Sequence, residues 1–225
     1  MPPGVFAVVP AYNEARVIGN VIARLRMVCP NIVVVDDASG DGTAAALAGA
    51  GVYVLRHAVN RGQGAALQTG ITFALLKGAE IVVTFDADGQ HDENDIRALI
   101  EPVLQNICDV ALGSRFLGRA DEIPPARRLL LKAGVLFTRI FSRMRLTDVH
   151  NGLRAFSRNA AAALHIHMDR MAHASEILEQ IHAGGWSYIE VPVTIRYSDY
   201  SRAKGQSSWN ALTIGSQLLL RKLSR

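Results

Sequence analysis

Short β-branched and aliphatic runs alternate with longer amphipathic segments through the first half of the chain. Val5–Val9, Ile32–Val35, Val52–Leu55, Ile81–Phe85 and Val110–Leu112 have the length and composition of strands, and each is followed by a segment long enough for a helix. This alternation predicts an α/β fold, a mostly parallel central sheet flanked by helices. Ligands of such sheets sit beyond the carboxyl ends of the strands. Those ends carry Asn13-Glu14, Asp36-Asp37, Asp86-Ala87-Asp88 and Gly113-Ser114-Arg115, so the polar residues fall where a site is expected.

The pattern changes after Arg115. It predicts an amphipathic helix over Leu129–Met144, a short strand over Leu153–Phe156, a helix over Ala172–Ala183, and a pair of strands within Tyr188–Arg196 interrupted by Pro192. Ser198–Gln206 is polar, mixed in charge and contains Gly205, which reads as a mobile loop, and an amphipathic helix follows from about Ser208 to Leu223. Internal repeats and low-complexity tracts are absent from the sequence.

With 225 residues, 49% of them hydrophobic, the chain fits one well-buried core and one compact domain. Cys29 and Cys108 lie far apart with no CxxC or Cys/His cluster, which points to a reducing compartment and away from a disulfide framework or zinc site. No stretch reaches the roughly 20 apolar residues of a membrane helix. The first residues enter the first strand without a charged-then-apolar leader. The expectation is a cytoplasmic chain that neither spans a membrane nor is secreted.

The formal charge of +4 is modest but unevenly spread. Acids dominate the loops after the early strands, whereas arginines crowd Arg115 to Arg158 and return at the C-terminus. An acidic half facing a basic half suits a metal and an anionic ligand meeting between them. Nucleic acid is disfavoured as the anion, because aromatics are 6% of the chain and do not interleave with arginine.

The sharpest local signal is Phe85-Asp86-Ala87-Asp88-Gly89-Gln90-His91. Two carboxylates two residues apart at the end of an apolar strand converge through a turn, and hard oxygen ligands suit magnesium or manganese on a diphosphate. A solvated Asp-rich turn is the plain alternative, against which the preceding apolar strand and the following Gly-Gln-His weigh. Asp36-Asp37 offers acceptors for the imide nitrogen of a base or for ribose hydroxyls; the alternative is capping of the segment after Gly42, for which Asp41 and Ser39 suffice. Asn60-Arg61-Gly62-Gln63-Gly64 suits either a phosphate cradle or close helix–sheet packing. The seven histidines, His57, His91, His150, His165, His167, His173 and His182, show no metal spacing, and no zinc is assigned.

Taken in order, Pro10-Ala11-Tyr12-Asn13-Glu14, Val35-Asp36-Asp37-Ala38-Ser39-Gly40-Asp41-Gly42-Thr43, Asn60-Arg61-Gly62-x-Gly64, Asp86-Ala87-Asp88-Gly89-Gln90-His91, Gly113-Ser114-Arg115-Phe116 and Thr147-Asp148 through Gly152-Leu153-Arg154-Ala155-Phe156 resemble the family 2 glycosyltransferases of GT-A fold. The likeness is strongest to the dolichyl- or polyprenyl-phosphate mannose and glucose synthase branch and runs from Val5 to about Trp209, with Glu190-Val191-Pro192-Val193 and Arg202-x-x-Gly205-x-Ser207 belonging to it.

The resemblance implies a single GT-A domain over 1–225: a nucleotide-sugar half (1–115), an acceptor half (116–197), a mobile loop (198–206) and a C-terminal amphipathic helix (207–225). It implies inverting transfer of a hexose from GDP-mannose or a UDP-sugar to a polyprenyl or dolichyl phosphate, with Mg2+ or Mn2+. Carried over by position, Pro10, Tyr12, Glu14 and Asp37 line the base and ribose pocket, Ala87 joins the nucleotide-sugar site, and Asp86, Asp88 and Gln90 gather around the metal. Arg115 and one of Arg127 or Arg128 face phosphate oxygens, and Arg202 closes from the loop. Asp148 and Arg154 fall near the acceptor and phosphates or form a buried ion pair with each other, while Glu176 is a structural partner or an acceptor-site group. With Asp88 and Arg115, these three complete the candidate catalytic set.

Two departures from the branch bear on the acceptor. Ser208 stands where a lysine usually follows the serine matched by Ser207, with Lys204 nearby as a substitute, and Met168-Asp169-Arg170-Met171-Ala172-His173-Ala174-Ser175 replaces an aromatic run. An anionic lipid phosphate needs no strong base, whereas a sugar hydroxyl does. The second half shows no paired-carboxylate base motif, which favours the phosphate over extension of a polysaccharide or lipid-linked glycan. A nucleotidyltransferase is the third reading, but it expects a glycine-rich, lysine-bearing loop where Pro10–Glu14 stands. A lipid acceptor implies peripheral membrane contact through Arg221-Lys222-Leu223-Ser224-Arg225 or the Leu129–Phe141 face, or a small membrane partner protein; the alternative is that both helices cover the core.

Overall fold

The computed structural model describes residues 1–120, 144–168 and 173–196. Its centre is a seven-stranded sheet in the order β3-β2-β1-β4-β6-β5-β7. The strands are β1 (Val5–Ala11), β2 (Asn31–Asp36), β3 (Tyr53–Arg56), β4 (Ile81–Thr84), β5 (Val110–Ala120), β6 (Arg154–Ser157) and β7 (Tyr188–Ile195). Every residue of β1 is buried, because helices cover the sheet on both faces, and this is why the strand reads as an unbroken apolar run rather than an alternating one.

Alternation reappears in three dimensions. Val5, Ala7 and Val9 pack with α1 (Ile18–Val28) and α4 (Asp95–Leu104), whereas Phe6 and Val8 pack with α3 (Gln63–Leu76), α5 (Arg158–Ala163) and α6 (His173–Ala183). Helix α3 lies close on the sheet at Gly70, where an added Cβ would meet the Val8 side chain at 2.3 Å. A short α2 (Thr43–Ala46) sits between β2 and β3. Helix α5 is capped by Ser157, whose hydroxyl accepts from the Ala160 amide at 3.3 Å.

The expected parallel frame holds for β1 with β2 and β4, for β2 with β3, and for β5 with β7. Strand β6, expected over Leu153–Phe156, runs antiparallel to both β4 and β5. Its first residue, Arg154, therefore pairs with Thr84 at the carboxyl end of β4 and with Leu112 of β5, so this strand delivers its beginning, not its end, to the site edge.

Three expectations change in detail. The strand pair around Pro192 is a single strand, β7; lying at the sheet edge, it accommodates a residue that has no N–H to donate. Strand β5 runs on past Leu112 to Ala120 and shifts register between Ser114 and Arg119. Close approach of this extension to β7 requires Gly118, where a Cβ would fall 2.2 Å from the Val193 carbonyl oxygen. The third change is α5 (Arg158–Ala163), a helix the hydrophobic pattern did not mark. The helix expected over Leu129–Met144, the Ser198–Gln206 loop and the terminal helix lie outside the described residues, apart from Met144, which is buried.

Candidate active site

At the ends of β1 and β2 two loops are laced together. The Asn13 amide donates to Ser39 Oγ at 2.9 Å, the Glu14 amide to Thr43 Oγ1 at 2.9 Å and the Ala15 amide to Asp41 Oδ2 at 3.0 Å, while Asn13 Oδ1 accepts from the Gly40 amide at 3.0 Å. Asn13 and Ala38 hold positive φ, 54° and 59°, which tightens both turns. Here Pro10 and Glu14 are buried and Tyr12 is exposed.

Asp36 and Asp37 are both buried, with different partners. Asp36 accepts from the Ser39 amide at 3.0 Å and lies 3.3 Å from Arg56 Nε. Asp37 takes His57 Nδ1 at 2.7 Å and the amides of Arg61 and Gly62 at 2.9 and 2.6 Å. Those two amides are the ones a phosphate cradle would use. The Asn60–Gly64 turn is thus folded onto Asp37, and Gly64 serves packing: a Cβ there would lie 2.0 Å from the Met168 carbonyl oxygen. The close approach at Gly64 is thus to the Met168 segment and the start of α6, not to the sheet.

Beyond β4, Asp86 is braced from several directions. Its Oδ1 accepts from Gln63 Nε2 at 3.0 Å, its Oδ2 pairs with His91 Nε2 at 3.0 Å, and Gly152 is so close that a Cβ would sit 2.2 Å from Oδ2. Burial pushes the Asp86 carboxyl upward, but the His91 hydrogen bond and the charges of His91, His173 and Arg154 prevail and hold it below the ordinary value. Among the described residues, Asp88 is held within its own turn, by the Gln90 amide at 3.0 Å and Gln90 Nε2 at 2.6 Å. Its carboxyl is raised by burial and then by the charge of Asp86, with Glu14 adding to the repulsion. Ala87 is buried between them.

Strand β7 buttresses this turn. The Arg196 amide donates to the Gln90 carbonyl at 2.8 Å, the Thr194 amide to Asp95 Oδ2 at 2.5 Å, and the Arg196 guanidinium pairs with Asp92.

The basic side of the site comes from β5, the 147–153 segment and β6. Asp148 pairs with Arg115, not with Arg154: Arg115 Nε donates to Asp148 Oδ2 at 2.6 Å and the Arg115 amide to the same oxygen at 3.1 Å. Arg154 is also buried and gives its Nε to the Asn151 carbonyl at 3.1 Å. Burial pushes its guanidinium down to about 10, against the charges of Asp86 and Asp148, so Arg154 interacts with the acidic turn and with the Arg115–Asp148 pair. The His150 imidazole is held below its usual value, first by burial and then by the charges of Arg115 and Arg154, against Asp148.

Glu176, in the first turn of α6, is 2% exposed and accepts the amides of His167 and Met168 at 3.1 and 2.8 Å through Oε2. It clamps the segment whose Met168 carbonyl packs on Gly64, which favours the structural of its two readings. Arg127, Arg128 and Arg202 lie outside the described residues. Among the described residues no three or more His, Cys, Asp or Glu side chains form a metal cage, and no helix is long and apolar enough to cross a membrane.

Sequence reasoning gave no role to Gln63, His91, Thr147 or Glu190. His91 stood inside the Asp86–His91 motif, five residues from its partner, and was legible as a neighbour. Nothing in the sequence spacing joins Gln63 to Asp86 or Glu190 to Thr147.

Residues 6–164 match the family described as Glycosyl transferase family 2. A UDP-N-acetylglucosamine–dolichyl-phosphate N-acetylglucosaminyltransferase of Methanococcus voltae is 31% identical over 98% of this chain and 97% of its own. An undecaprenyl-phosphate mannosyltransferase of Micrococcus luteus is 29% identical over 96% of this chain and 91% of its own. In structure, glucosyl-3-phosphoglycerate synthase from Mycobacterium tuberculosis, solved with Mn2+ and UDP-glucose, superposes with a TM-score of 0.75 at 18% identity, over 98% of this chain and 78% of that one. By its matched residues and its fold, the chain belongs to glycosyl transferase family 2.

Proposed function

We propose that this glycosyltransferase moves a hexose from a nucleotide-diphosphate sugar, GDP-mannose or a UDP-sugar, to a polyprenyl or dolichyl phosphate, inverting the anomeric carbon. The observation that carries the phosphate acceptor is the burial of the two carboxylates offered as a base. Asp148 is buried in an ion pair with Arg115, and Glu176 is buried against two backbone amides. Neither is poised to take a proton from a sugar hydroxyl, and a phosphate acceptor, already anionic near neutral pH, needs no strong base. The named activities of the relatives from Methanococcus voltae and Micrococcus luteus point the same way.

A divalent cation fits the acidic turn. Asp86, Asp88 and Glu14 crowd negative charge that lifts the Asp88 carboxyl, and a cation would relieve that repulsion. Asp88, whose hydrogen-bond partners among the described residues come from its own turn, and Asp86 would hold Mg2+ or Mn2+, with Gln90 orienting Asp88 through its amide groups. Bound there, the cation would neutralise charge on the donor diphosphate. The solved neighbour with Mn2+ and UDP-glucose supports this choice of ion.

The remaining work falls to the chain. Pro10, Tyr12, Glu14 and Ala87 line the nucleoside side, and Asp37 shapes it through the turn it fixes. Arg115 and Arg154 put positive charge opposite the acidic turn, where donor and acceptor phosphates meet. As an acceptor phosphate oxygen bonds to the anomeric carbon, the bond to the diphosphate breaks and its electron pair leaves on the diphosphate oxygen. One displacement from the opposite face inverts the centre.

In this reading residues 1–115 form the donor half and 116–197 the acceptor half of one domain, at the cytoplasmic face of a membrane. Peripheral contact or a small membrane partner would bring the lipid within reach.

The test incubates the protein and Mn2+ or Mg2+ with radiolabelled UDP- and GDP-sugars, with and without short-chain polyprenyl phosphate, beside Asp88→Ala. Metal-dependent label extracted into organic solvent, absent with Asp88→Ala, is the expected result. Label that passes to glycans and never to lipid overturns the acceptor assignment.

A further inference from the structure

Glu190 lies on β7, paired in register with Leu112 of β5, and among the described residues its hydrogen-bond partners are groups of Thr147 and Asp148. What it holds is backbone. Its two oxygens accept the Thr147 amide at 2.9 Å each, and Oε1 also takes the Thr147 hydroxyl at 2.9 Å and the Asp148 amide at 3.1 Å. A carboxylate only accepts, so the Thr147 hydroxyl donates to it. Ser114 Oγ, 2.6 Å from Thr147 Oγ1, must then be the donor in that contact. The hydroxyl chain Ser114 to Thr147 to Glu190 therefore has one direction, and it ties β5, the 147–148 turn and β7 together.

Residues 144–153 contain no helix or strand, so this turn has no ladder of its own to fix it. Glu190 supplies acceptors that a neighbouring strand would otherwise provide. The next residue, Asp148, grips Arg115 twice through one oxygen, once at the backbone and once at Nε. A shift of the Thr147–Asp148 turn is thereby transmitted to the guanidinium, because the Arg115–Asp148 pair is buried and cannot re-form through solvent.

We propose that Glu190 is a positioning residue for the donor phosphates: by fixing the Thr147–Asp148 turn it sets the angle at which Arg115 presents its guanidinium. This rests on the reading of Arg115 as a phosphate-facing group. Glu190 itself touches no substrate. Its carboxylate is spent on the turn, and the chain's response to its loss should be confined to whatever Arg115 recognises.

The experiment compares wild type with Glu190→Ala, Glu190→Gln, Arg115→Ala and the Glu190→Gln/Arg115→Ala double variant. Calorimetry with Mn2+ measures UDP and GDP, of which the one bound by wild type is followed, against the matching nucleoside monophosphate. Donor KM and kcat are measured alongside.

Loss of acceptors for amides should weaken diphosphate binding about tenfold in Glu190→Ala and about threefold in Glu190→Gln, which keeps one oxygen. The monophosphate should bind as before, and donor KM should rise more than kcat falls. In the Arg115→Ala background, Glu190→Gln should add nothing.

Full additivity in the double variant overturns the proposal. So does an equal loss for monophosphate and diphosphate, which is what a merely structural role predicts. If Glu190→Ala fails to fold, the Glu190→Gln cycle decides alone. Unaltered diphosphate binding in Arg115→Ala would instead sink the phosphate role of Arg115, and that arm is read independently of Glu190.

Discussion

Gly152→Ala is the most direct probe of the acidic turn, because it adds one methyl group and changes no charge. The added Cβ would lie 2.2 Å from Asp86 Oδ2 and 2.6 Å from Cγ and Oδ1, far inside van der Waals contact. Asp86 has to swing away, and the swing breaks its hydrogen bonds to Gln63 and His91, both 3.0 Å long. Hydrogen bonds to a charged group contribute about 1.5–3 kcal/mol each. The Asp86 side chain is 30% exposed and recovers part of that through water, so a net loss of roughly 2–3 kcal/mol is expected. Carried into the transition state, this is a fall of roughly 30- to 150-fold in kcat/KM.

The assay is donor turnover over a titration of Mn2+, with Gly19→Ala as the control. Gly19 is exposed on α1, and a Cβ there would find only the Ala46 carbonyl, at 3.9 Å. A Gly152→Ala enzyme within threefold of wild type in both metal requirement and kcat/KM would refute the placement of Asp86 at the reacting end of the site.

Two further substitutions follow from the same geometry. Because the Asp88 carboxyl is raised by burial and by Asp86, its protonated form suits the folded state; the associated stability is present at low pH and lost as pH rises through the raised value. Without metal, Asp88→Asn should therefore melt higher than wild type by about 2–4 °C at pH 7, for about 1 kcal/mol of relieved repulsion. The gap should close towards pH 4, near the ordinary carboxylate value, and stabilisation by Mn2+ should be lost; thermal melts that show wild type the more stable at pH 7 would contradict the repulsion. Glu176→Ala strands the His167 and Met168 amides and should cost about 2–4 kcal/mol of stability in urea unfolding. The folded fraction should keep more activity than Gly152→Ala, whereas a collapse of kcat with stability intact would make Glu176 the base.

How the site is assembled separates what was legible from what was not. The strands β1, β2, β4 and the first part of β5 were readable because a parallel sheet covered on both faces leaves unbroken apolar runs, with its acids just beyond them. That pattern placed Asp36, Asp37, Asp86, Asp88 and Arg115 at one edge before any coordinates. The ordered motifs added the family.

Tertiary structure alone decided the pairings. For Asp148 and Arg154, six residues apart, the sequence leaves open a mutual ion pair or separate places near acceptor and phosphates; β6 runs antiparallel and carries Arg154 to the end of β4, while β5 brings Arg115 onto Asp148. Asp37 looked like a free acceptor; the backbone of residues 61 and 62 fills it. Gln63, His91 and Glu190 acquired roles only when residues 23, 5 and 43 positions apart were brought within hydrogen-bond distance. Hydrophobic periodicity fixes which face of an element is buried, since burial depends on the element's own sequence. A polar side chain's partner depends on strand order and direction, and those are set by how all seven strands pack together.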